Sequence, residues 1–520
     1  MENFLLHKGK LSLNLSKKKD KDKRLIQNWR PISLLNVDTK LISKCIASRF
    51  IPVLPTIISP DQTAYVKGRF IGESIRLISD ILVTTDMYNI PGYILTADLE
   101  KAFDSIDHTF LLACLKKFGF GQNFIHWASI LLNENESCVS NGGQTTKYFN
   151  LQRGARQGDP ISAYFFIIVL EIFFIMLREN RDIKKINIFG YEYLLSAYAD
   201  DTTFFVSDLA SVNIILHIFK KFSLFSGLKM NQSKCEISGI GVKKNDVLAL
   251  CGFKNVSLVD SSIRILGVHF SYNHIQFSEK NFMESFKKLQ NVIKIWGMRA
   301  LSLYGKITIF KTLALSKVVY IASMSTIPTD ILNLIENTHK NFVWNNKRPK
   351  IKHSSLISDY SKGGLKDIDV VSKFKSLRLN WIKRLYDDNF HPWKNIPLHY
   401  LKKASFDTQL FHPNLQISNN NIDNIPKFYQ DIIKYWIEIS QSEPITASMI
   451  LSESLFFNSF IKIDNISVSP SFLNIKKNIF LSDIFDQNGN FINLNRFREK
   501  FNINCSFFKW IQLQKSIPSA

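Results

Sequence analysis

Between residues 93 and 240 the spacing of apolar side chains switches repeatedly between a period of two and a period of about 3.6, and the order of elements this implies leaves few folds open. Residues 93–98 read as a short apolar strand ending on an acid, and residues 109–118 as a helix stopped by Gly119 and Gly121. Residues 138–140 and 148–151, around Asn141-Gly142-Gly143, suit a hairpin. A turn over 154–160 then leads into a long apolar helix. Residues 194–201 and 202–206 make a second hairpin with Asp200 and Asp201 at its tip. Residues 212–225 follow as an amphipathic helix capped by Gly227, and residues 235–238 as a last strand. Strand, helix, hairpin, helix, hairpin, helix, strand fits an antiparallel sheet with helices on one face, the split-βαβ arrangement of an α+β protein. Such a sheet brings the ends of non-adjacent strands together, and would carry Asp98 to Asp200 and Asp201.

On the N-terminal side, residues 11–35 read as strand, charged turn, strand. Residues 36–50 and 72–87 have helical spacing, separated by Pro52, Pro55 and Pro60. Residues 265–270 read as one short strand. Beyond 280 the pattern is helical over 281–300, 305–325, 330–343 and 370–387, while 391–520 is rich in Asn, Ile and Phe and gives no sharp signal. A hydrophobic content of 45% with 42 Phe suffices for a large interior and excludes disorder over most of the length. The apolar run 161–177 carries Ser162 and Glu171 and is shorter than the roughly 20 residues a bilayer requires, so it reads as a buried helix. Cys45, Cys114, Cys138, Cys235, Cys251 and Cys505 form no C-x-x-C pair, which points to a reducing compartment without a disulfide framework or a zinc knuckle. The opening residues do not make a signal peptide.

The formal charge of +22 favours a polyanionic partner. It is unevenly spread: residues 1–50 hold twelve Lys/Arg against four Asp/Glu, and residues 280–384 twenty against six. Two basic regions around a more neutral middle suit the walls of a nucleic-acid channel, and on charge alone they suit a solvated face as well.

The constellation with most chemical content is Asp98 at one strand end and Asp200-Asp201 at a hairpin tip. Phosphoryl transfer to a 3′-hydroxyl is served by two hard divalent cations roughly 3.5–4 Å apart, and carboxylates on adjacent strand ends can hold them while leaving positions for water and substrate. In isolation an Asp-Asp pair is equally a charged turn. The flanks decide: Tyr198-Ala199-Asp200-Asp201 between apolar runs resembles the Y/F-x-D-D signature of reverse transcriptases, and Ala at its second position is the form usual in the non-LTR (LINE-type) retrotransposon enzymes. The resemblance continues in order from about residue 15 to 385. It takes in Asn28-Trp29-Arg30-Pro31-Ile32-Ser33-Leu34-Leu35-Asn36, then Ser59-Pro60-Asp61-Gln62 with Lys67-Gly68-Arg69, then Ala97-Asp98-Leu99-Glu100-Lys101-Ala102-Phe103-Asp104. After these come Gly154-Ala155-Arg156-Gln157-Gly158-Asp159-Pro160-Ile161-Ser162, Gly227-Leu228-Lys229-Met230-Asn231 with Lys234, and Leu266-Gly267-Val268. Leu303-Tyr304-Gly305-Lys306, Phe342-Val343-Trp344 and Gly363-Gly364-Leu365 resemble the segment that follows the polymerase in LINE-type proteins.

The resemblance implies a right-hand polymerase: fingers over 1–90, a catalytic palm over 91–270, a helical thumb and connection over 271–390, and a C-terminal region of unknown role over 391–520. It implies an RNA-directed DNA polymerase that extends a DNA primer on an RNA template with deoxynucleoside triphosphates, using two Mg2+ ions, with Mn2+ as the substitute. Asp98, the Leu99 carbonyl, Asp200 and Asp201 become metal ligands, and Lys234 the acid that protonates the leaving pyrophosphate, although a surface lysine fits that position too. Lys18 and Arg30 become triphosphate contacts, paired and directional for the guanidinium. Phe103 lies beneath the incoming sugar, where a flat ring leaves no room for a 2′-hydroxyl; a plain core Phe is the other reading. Gln157 and Gly158 lie against the nucleotide, Gln62, Lys67 and Arg69 against the template backbone, and Leu266, Gly267 and Val268 form a turn that supports the primer end. Lys287, Lys288, Lys294, Lys306, Lys311 and Lys317 suit a thumb gripping a duplex, while Trp296, Trp344 and Trp381 suit that or a helical core. The family places such an enzyme in nucleus and cytoplasm, with no membrane partner. An inactive RNA-binding remnant would be expected to lose a carboxylate, and an intron maturase to carry a basic maturase region beyond the thumb. The first retrotransposon block comes almost at once and Cys505 stands alone, so no endonuclease of either kind known in the family is expected within this sequence.

Overall fold

The protein was analysed as a computed structural model that describes residues 11–17, 22, 24–25, 28–132, 136–141, 144–243, 254–272, 274–387, 390–404, 422–442, 455–456, 461–463, 466–473, 479–486 and 490–517. Lys18 lies outside the described residues.

The central sheet has the strand order Leu195–Tyr198, Asp201–Val206, Gly92–Ala97, Glu236–Ile240, Lys254–Asn255. Its first three neighbouring pairs are antiparallel, as the α+β reading requires, and the short Lys254–Asn255 strand adds a parallel edge. Gly92–Ala97 is central and buried on both faces, which is why it reads as an unbroken apolar run rather than an alternation. The helix Ser162–Glu179 covers the sheet, with Phe165, Phe166, Phe173 and Phe174 all almost fully buried, and Leu209–Ser226 packs on it through Phe173 and Phe219, whose rings lie 5.2 Å apart. Glu171, the charge inside the apolar run, is buried and ion-paired with Arg178, which also reaches Asp61 at 3.1 Å. Burial pushes the Glu171 carboxyl up to about 7.

A second sheet joins distant segments. Leu11–Lys17 pairs antiparallel with Trp29–Leu34, and parallel with Glu136–Asn141, which folds back onto Phe149–Asn150. The strand–turn–strand read over 11–35 and the hairpin read over 138–151 are therefore parts of one sheet. Residues 265–270 are not a single strand: Ile263–Ile265 and Val268–Phe270 form a hairpin, reversed at Leu266 (φ 49°) and Gly267 (φ 80°). The spacing of apolar residues alone did not divide the run, but the turn that the family resemblance implied at Leu266-Gly267-Val268 falls at this reversal. Helix Gln122–Leu132 and the small hairpin Ile186–Ile188 with Tyr191–Tyr193 carried no clear period and were not anticipated.

Helices His274–Gly297, Leu303–Ile309, Ser316–Met324, Thr329–Trp344 and Val370–Leu385 share one core with Ile71–Met87, Asn395–Lys403 and Lys427–Ser442. A buried ionic knot holds it. Arg76 pairs with Asp80 and donates to the Met324 carbonyl, the Tyr429 hydroxyl donates to Asp80 at 2.5 Å, and the Phe428 ring lies between the guanidinium groups of Arg76 and Arg378. The described residues between 455 and 513 build a separate small core around Phe497, Trp510 and Leu513. Among the described residues, Leu209–Ser226 is long and apolar enough to cross a membrane, and the bent pair Leu303–Ala314 with Ser316–Met324 passes the same test.

Candidate active site

Asp98 follows the last residue of the central strand, and the register fixes what it faces. Ala97 pairs with Thr202, so one step further Asp98 comes opposite Asp201. Tyr198 pairs with Asp201 across the neighbouring hairpin, leaving Ala199 and Asp200 as its two-residue tip. Ala199 sits at φ 55°, in the left-handed region that L-residues other than Gly, Asn and Asp seldom enter. The three carboxylates sense one another: burial first, then the charges of Asp200 and Asp98, push Asp201 up to about 6, with Lys234 opposing. Lys234 Nζ stands 2.8 Å from Asp98 Oδ2. Its position comes from the turn Gln232–Lys234, which is tied to the strand end by the Asn231 N–H donating to the Asp98 carbonyl at 2.8 Å. Leu99, in turn, pairs with Met230.

The tip is braced from below by Gln62, which is fully buried. Its Oε1 accepts from the Ala199 N–H at 2.9 Å and the Ala64 N–H at 3.0 Å, while its Nε2 donates to the Ala199 carbonyl at 3.2 Å. Either side of it, the Ala197 N–H donates to the Asp61 carbonyl and the Thr63 N–H to the Ala197 carbonyl, both at 2.9 Å. Arg69 also turns inward, donating to the carbonyls of Ile58, Ser59 and Gln62. Gln62 and Arg69, expected at a template backbone, thus direct their side chains to protein carbonyls and amides, and of that trio Lys67 alone is exposed.

The Gly154 to Pro160 turn stands against the same site. The Ala155 N–H donates to the Phe103 carbonyl at 2.7 Å, and the Gly154 N–H to Ile106 at 2.8 Å. Gly154, at φ 92°, passes so close to Asp104 that an added Cβ would meet its backbone at 2.9 Å. Phe103 is half-buried and stacks on Phe166, ring centroids 4.6 Å apart, which fixes its plane. Gln157 reaches Asp104 with its amide at 3.4 Å, and its carbonyl accepts from the Ser33 N–H at 2.9 Å. Gly158 lies at φ 110°, where a Cβ would strike the Ser33 carbonyl at 2.8 Å. This glycine lets the strand carrying Arg30 dock on the turn. Arg30 pairs with Ser16 in that strand.

The Leu266, Gly267 and Val268 hairpin is joined to the site through a residue that no motif singled out: the Tyr320 hydroxyl donates to the Leu266 carbonyl at 2.6 Å. Burial, with Tyr198 and Asp201 nearby, pushes Tyr320 up to about 12. Tyr65, at φ 60° and exposed, is likewise raised by burial and by Tyr198 and Asp200, and so belongs to the rim. Neither tyrosine carries a sequence signal, because its relation to the carboxylates exists only across the fold. Asp107, by contrast, is an N-cap accepting from the Phe110 N–H at 3.0 Å.

Three carboxylates gathered on adjacent strand ends are a hard, oxygen-rich set, which suits divalent cations of the Mg2+ class. The sequence profile of the family described as reverse transcriptase (RNA-dependent DNA polymerase) matches residues 16–270. The chain is 28% identical over 458 residues to an uncharacterized 149 kDa protein of transposon TX1 from Xenopus laevis, covering 86% of this chain and 35% of that one. It is 25% identical over 216 residues to the Pol polyprotein of the type-2 retrotransposable element R2DM of Drosophila melanogaster, covering 41% and 20%. It therefore spans about a third and a fifth of these relatives. Among solved structures, a telomerase from Candida tropicalis, in complex with a fragment of telomeric RNA, aligns over 77% of this chain and 66% of its own at 13% identity and a TM-score of 0.39.

Proposed function

Since residues 16–270 are a reverse transcriptase domain of the non-LTR retrotransposon family, we propose that this chain extends a DNA 3′-hydroxyl on an RNA template with deoxynucleoside triphosphates. The observation that carries this reading is the convergence of Asp98, Asp200 and Asp201 on adjacent strand ends, with Asp201 raised by burial and then by its two neighbours. Asp98, Asp200, Asp201 and the Leu99 carbonyl are the groups that would hold Mg2+, or Mn2+ in its place; the cations would supply charge neutralisation at the triphosphate and a more acidic primer hydroxyl.

The chain's own residues do the rest. Lys234 holds a proton at Nζ beside Asp98 and is the donor for the departing pyrophosphate. Phe103, its plane set by Phe166, is the floor against which a 2′-hydroxyl would clash, which makes DNA the product. Gln157 and Gly158 join the floor to the strand of Arg30, so a triphosphate gripped by Arg30 is registered against the carboxylates. The Leu266 to Val268 hairpin, tied to Tyr320, supports the primer end. In this reading residues 1–90 act as fingers, 91–270 as palm and 271–390 as thumb and connection, while Gln62 and Arg69 serve the template side by shaping the palm.

The test is extension of a labelled DNA primer on RNA and DNA templates by purified protein with Mg2+, beside the Asp200→Ala variant. Extension by the wild type, abolished in the variant with its circular dichroism unchanged, is the expected result. Undiminished extension by Asp200→Ala would overturn the assignment.

A further inference from the structure

In the helical region three side chains from three segments converge without a role in polymerisation. His339 lies on helix Thr329–Trp344, His353 opens the short helix His353–Ile357, and Asp367 follows in the chain before helix Val370–Leu385. One ligand-capable atom from each lies within 4.8 Å of the other two. His339 Nε2 is 3.1 Å from Asp367 Oδ1, and His353 Nε2 is 3.4 Å from Asp367 Oδ2.

The carboxylate is what makes this more than a hydrogen-bonded pair of histidines. The Asp367 side chain is 1% exposed, and its Oδ1 accepts from the Ile368 N–H at 2.8 Å as well as facing His339. Its Oδ2 is buried and takes no hydrogen bond among the described residues, although it points at His353. A buried carboxylate oxygen without a donor is costly, and more so when charged. The His339 ring is held on the face of Phe310 at 4.2 Å, and the His353 side chain is about half exposed, which leaves a path from solvent.

We propose that His339, His353 and Asp367 bind one Zn2+ ion, with water in the fourth position. Two imidazole nitrogens and one carboxylate oxygen are a borderline donor set suited to zinc rather than to Mg2+, which favours oxygen ligands. In a tetrahedral site with bonds of about 2.0–2.1 Å the donors stand roughly 3.3 Å apart. The 3.4 Å from His353 Nε2 to Asp367 Oδ2 is already near that, and with one ligand atom of each residue within 4.8 Å of the others the remaining gaps close by small side-chain rotations. Both imidazoles would coordinate as the neutral tautomer protonated at Nδ1, and Asp367 through Oδ2, its Oδ1 keeping the Ile368 amide. Such an ion would tie the end of helix Thr329–Trp344 to the segment before Val370–Leu385. The intervening stretch carries Lys347, Arg348, Lys350 and Lys352, so zinc would set where that basic run sits.

The experiment is zinc analysis by mass spectrometry of the full chain, dialysed against metal-free buffer containing millimolar Mg2+ after loading with one equivalent of Zn2+. Absorption of the Co2+-substituted protein is recorded alongside. About one zinc per chain and visible tetrahedral Co2+ bands are expected. His353→Ala, which leaves the core untouched, should bind zinc at least about a hundredfold more weakly and lose the bands, while His217→Ala, an exposed histidine elsewhere, should retain both. Asp367→Asn checks the carboxylate independently and should likewise lose the zinc. Background zinc in the wild type, or zinc and bands unchanged in His353→Ala, would overturn the site.

Discussion

Replacing Gln62 by Met keeps roughly the volume of a fully buried side chain and removes the amide that brackets the Asp200 tip. The Ala199 N–H, the Ala199 carbonyl and the Ala64 N–H each lose a partner, in a place where Ala199 is itself almost completely buried. At about 1–3 kcal/mol for each buried group left unsatisfied, the loss is at least about 3 kcal/mol. This is a large fraction of the 5–15 kcal/mol typical of a folded domain, and corresponds to a fall in Tm of roughly 6–12 °C. The effect on chemistry is separable. Ala199 is held at φ 55° against a preference of about 1–2 kcal/mol for the right-handed region, so an unbraced tip relaxes and takes Asp200 with it. A displacement of about 1 Å is enough for a roughly hundredfold loss of rate. Single-turnover extension at saturating nucleotide, well below the Tm of the variant, reads this directly. Leu111→Ala supplies the comparison: it empties a fully buried position in the same core, on helix His108–Lys117 and outside the hydrogen bonds that hold the tip, and should cost about 2–5 kcal/mol without slowing extension. If Gln62→Met stays within about twofold of wild-type rate, or slows no more than Leu111→Ala, the brace has no part in placing the carboxylates.

Phe103→Val should raise ribonucleotide incorporation more than it lowers deoxynucleotide use, and unchanged discrimination in competition assays would remove Phe103 from the sugar gate. Because Asp201 is raised to about 6 in the metal-free fold, above the usual carboxylate value, the folded state binds its proton more readily than the unfolded one. Stability without metal should therefore fall as pH rises from about 4 through 6, and the Mg2+ concentration for half-maximal extension should rise below about pH 6. Asp201→Asn, followed by thermal denaturation without metal, should flatten the first dependence; an unchanged slope would assign it elsewhere. Of the six thumb lysines singled out by sequence, Lys306 is buried against Asn345 and Lys311 reaches the Lys366 carbonyl, whereas Lys287, Lys288, Lys294 and Lys317 are exposed. Neutralising these four should flatten the salt dependence of template–primer affinity, by up to about 0.9 log units per phosphate contact on a B-form scale, and shorten the product. Neutralising Lys306 should instead act on stability, and a salt slope preserved in the fourfold variant would make the exposed lysines mere solubilisers.

What the sequence determined by itself was local: where strands end, where turns need glycine, and which acids stand at those ends. Asp98 closes an apolar run and Asp200-Asp201 tips a hairpin whatever the rest of the chain does, so their meeting followed once an antiparallel sheet was granted. What only the tertiary structure decided was partnership across distance. Gln62 and Arg69 have the chemistry of template contacts, and nothing in their neighbourhood along the chain says that one would be sealed beneath the Ala199 tip and the other among three carbonyls. Leu11–Lys17 could not be assigned its parallel partner Glu136–Asn141, because such pairing is set by packing rather than by a turn. Tyr320 reached the Leu266 to Val268 hairpin, and Asn395–Lys403 and Lys427–Ser442 the core of the helical region, through surfaces that exist only once both partners have folded. A polar or basic side chain advertises what it can bind, but burial selects whether that is a phosphate or the protein's own backbone.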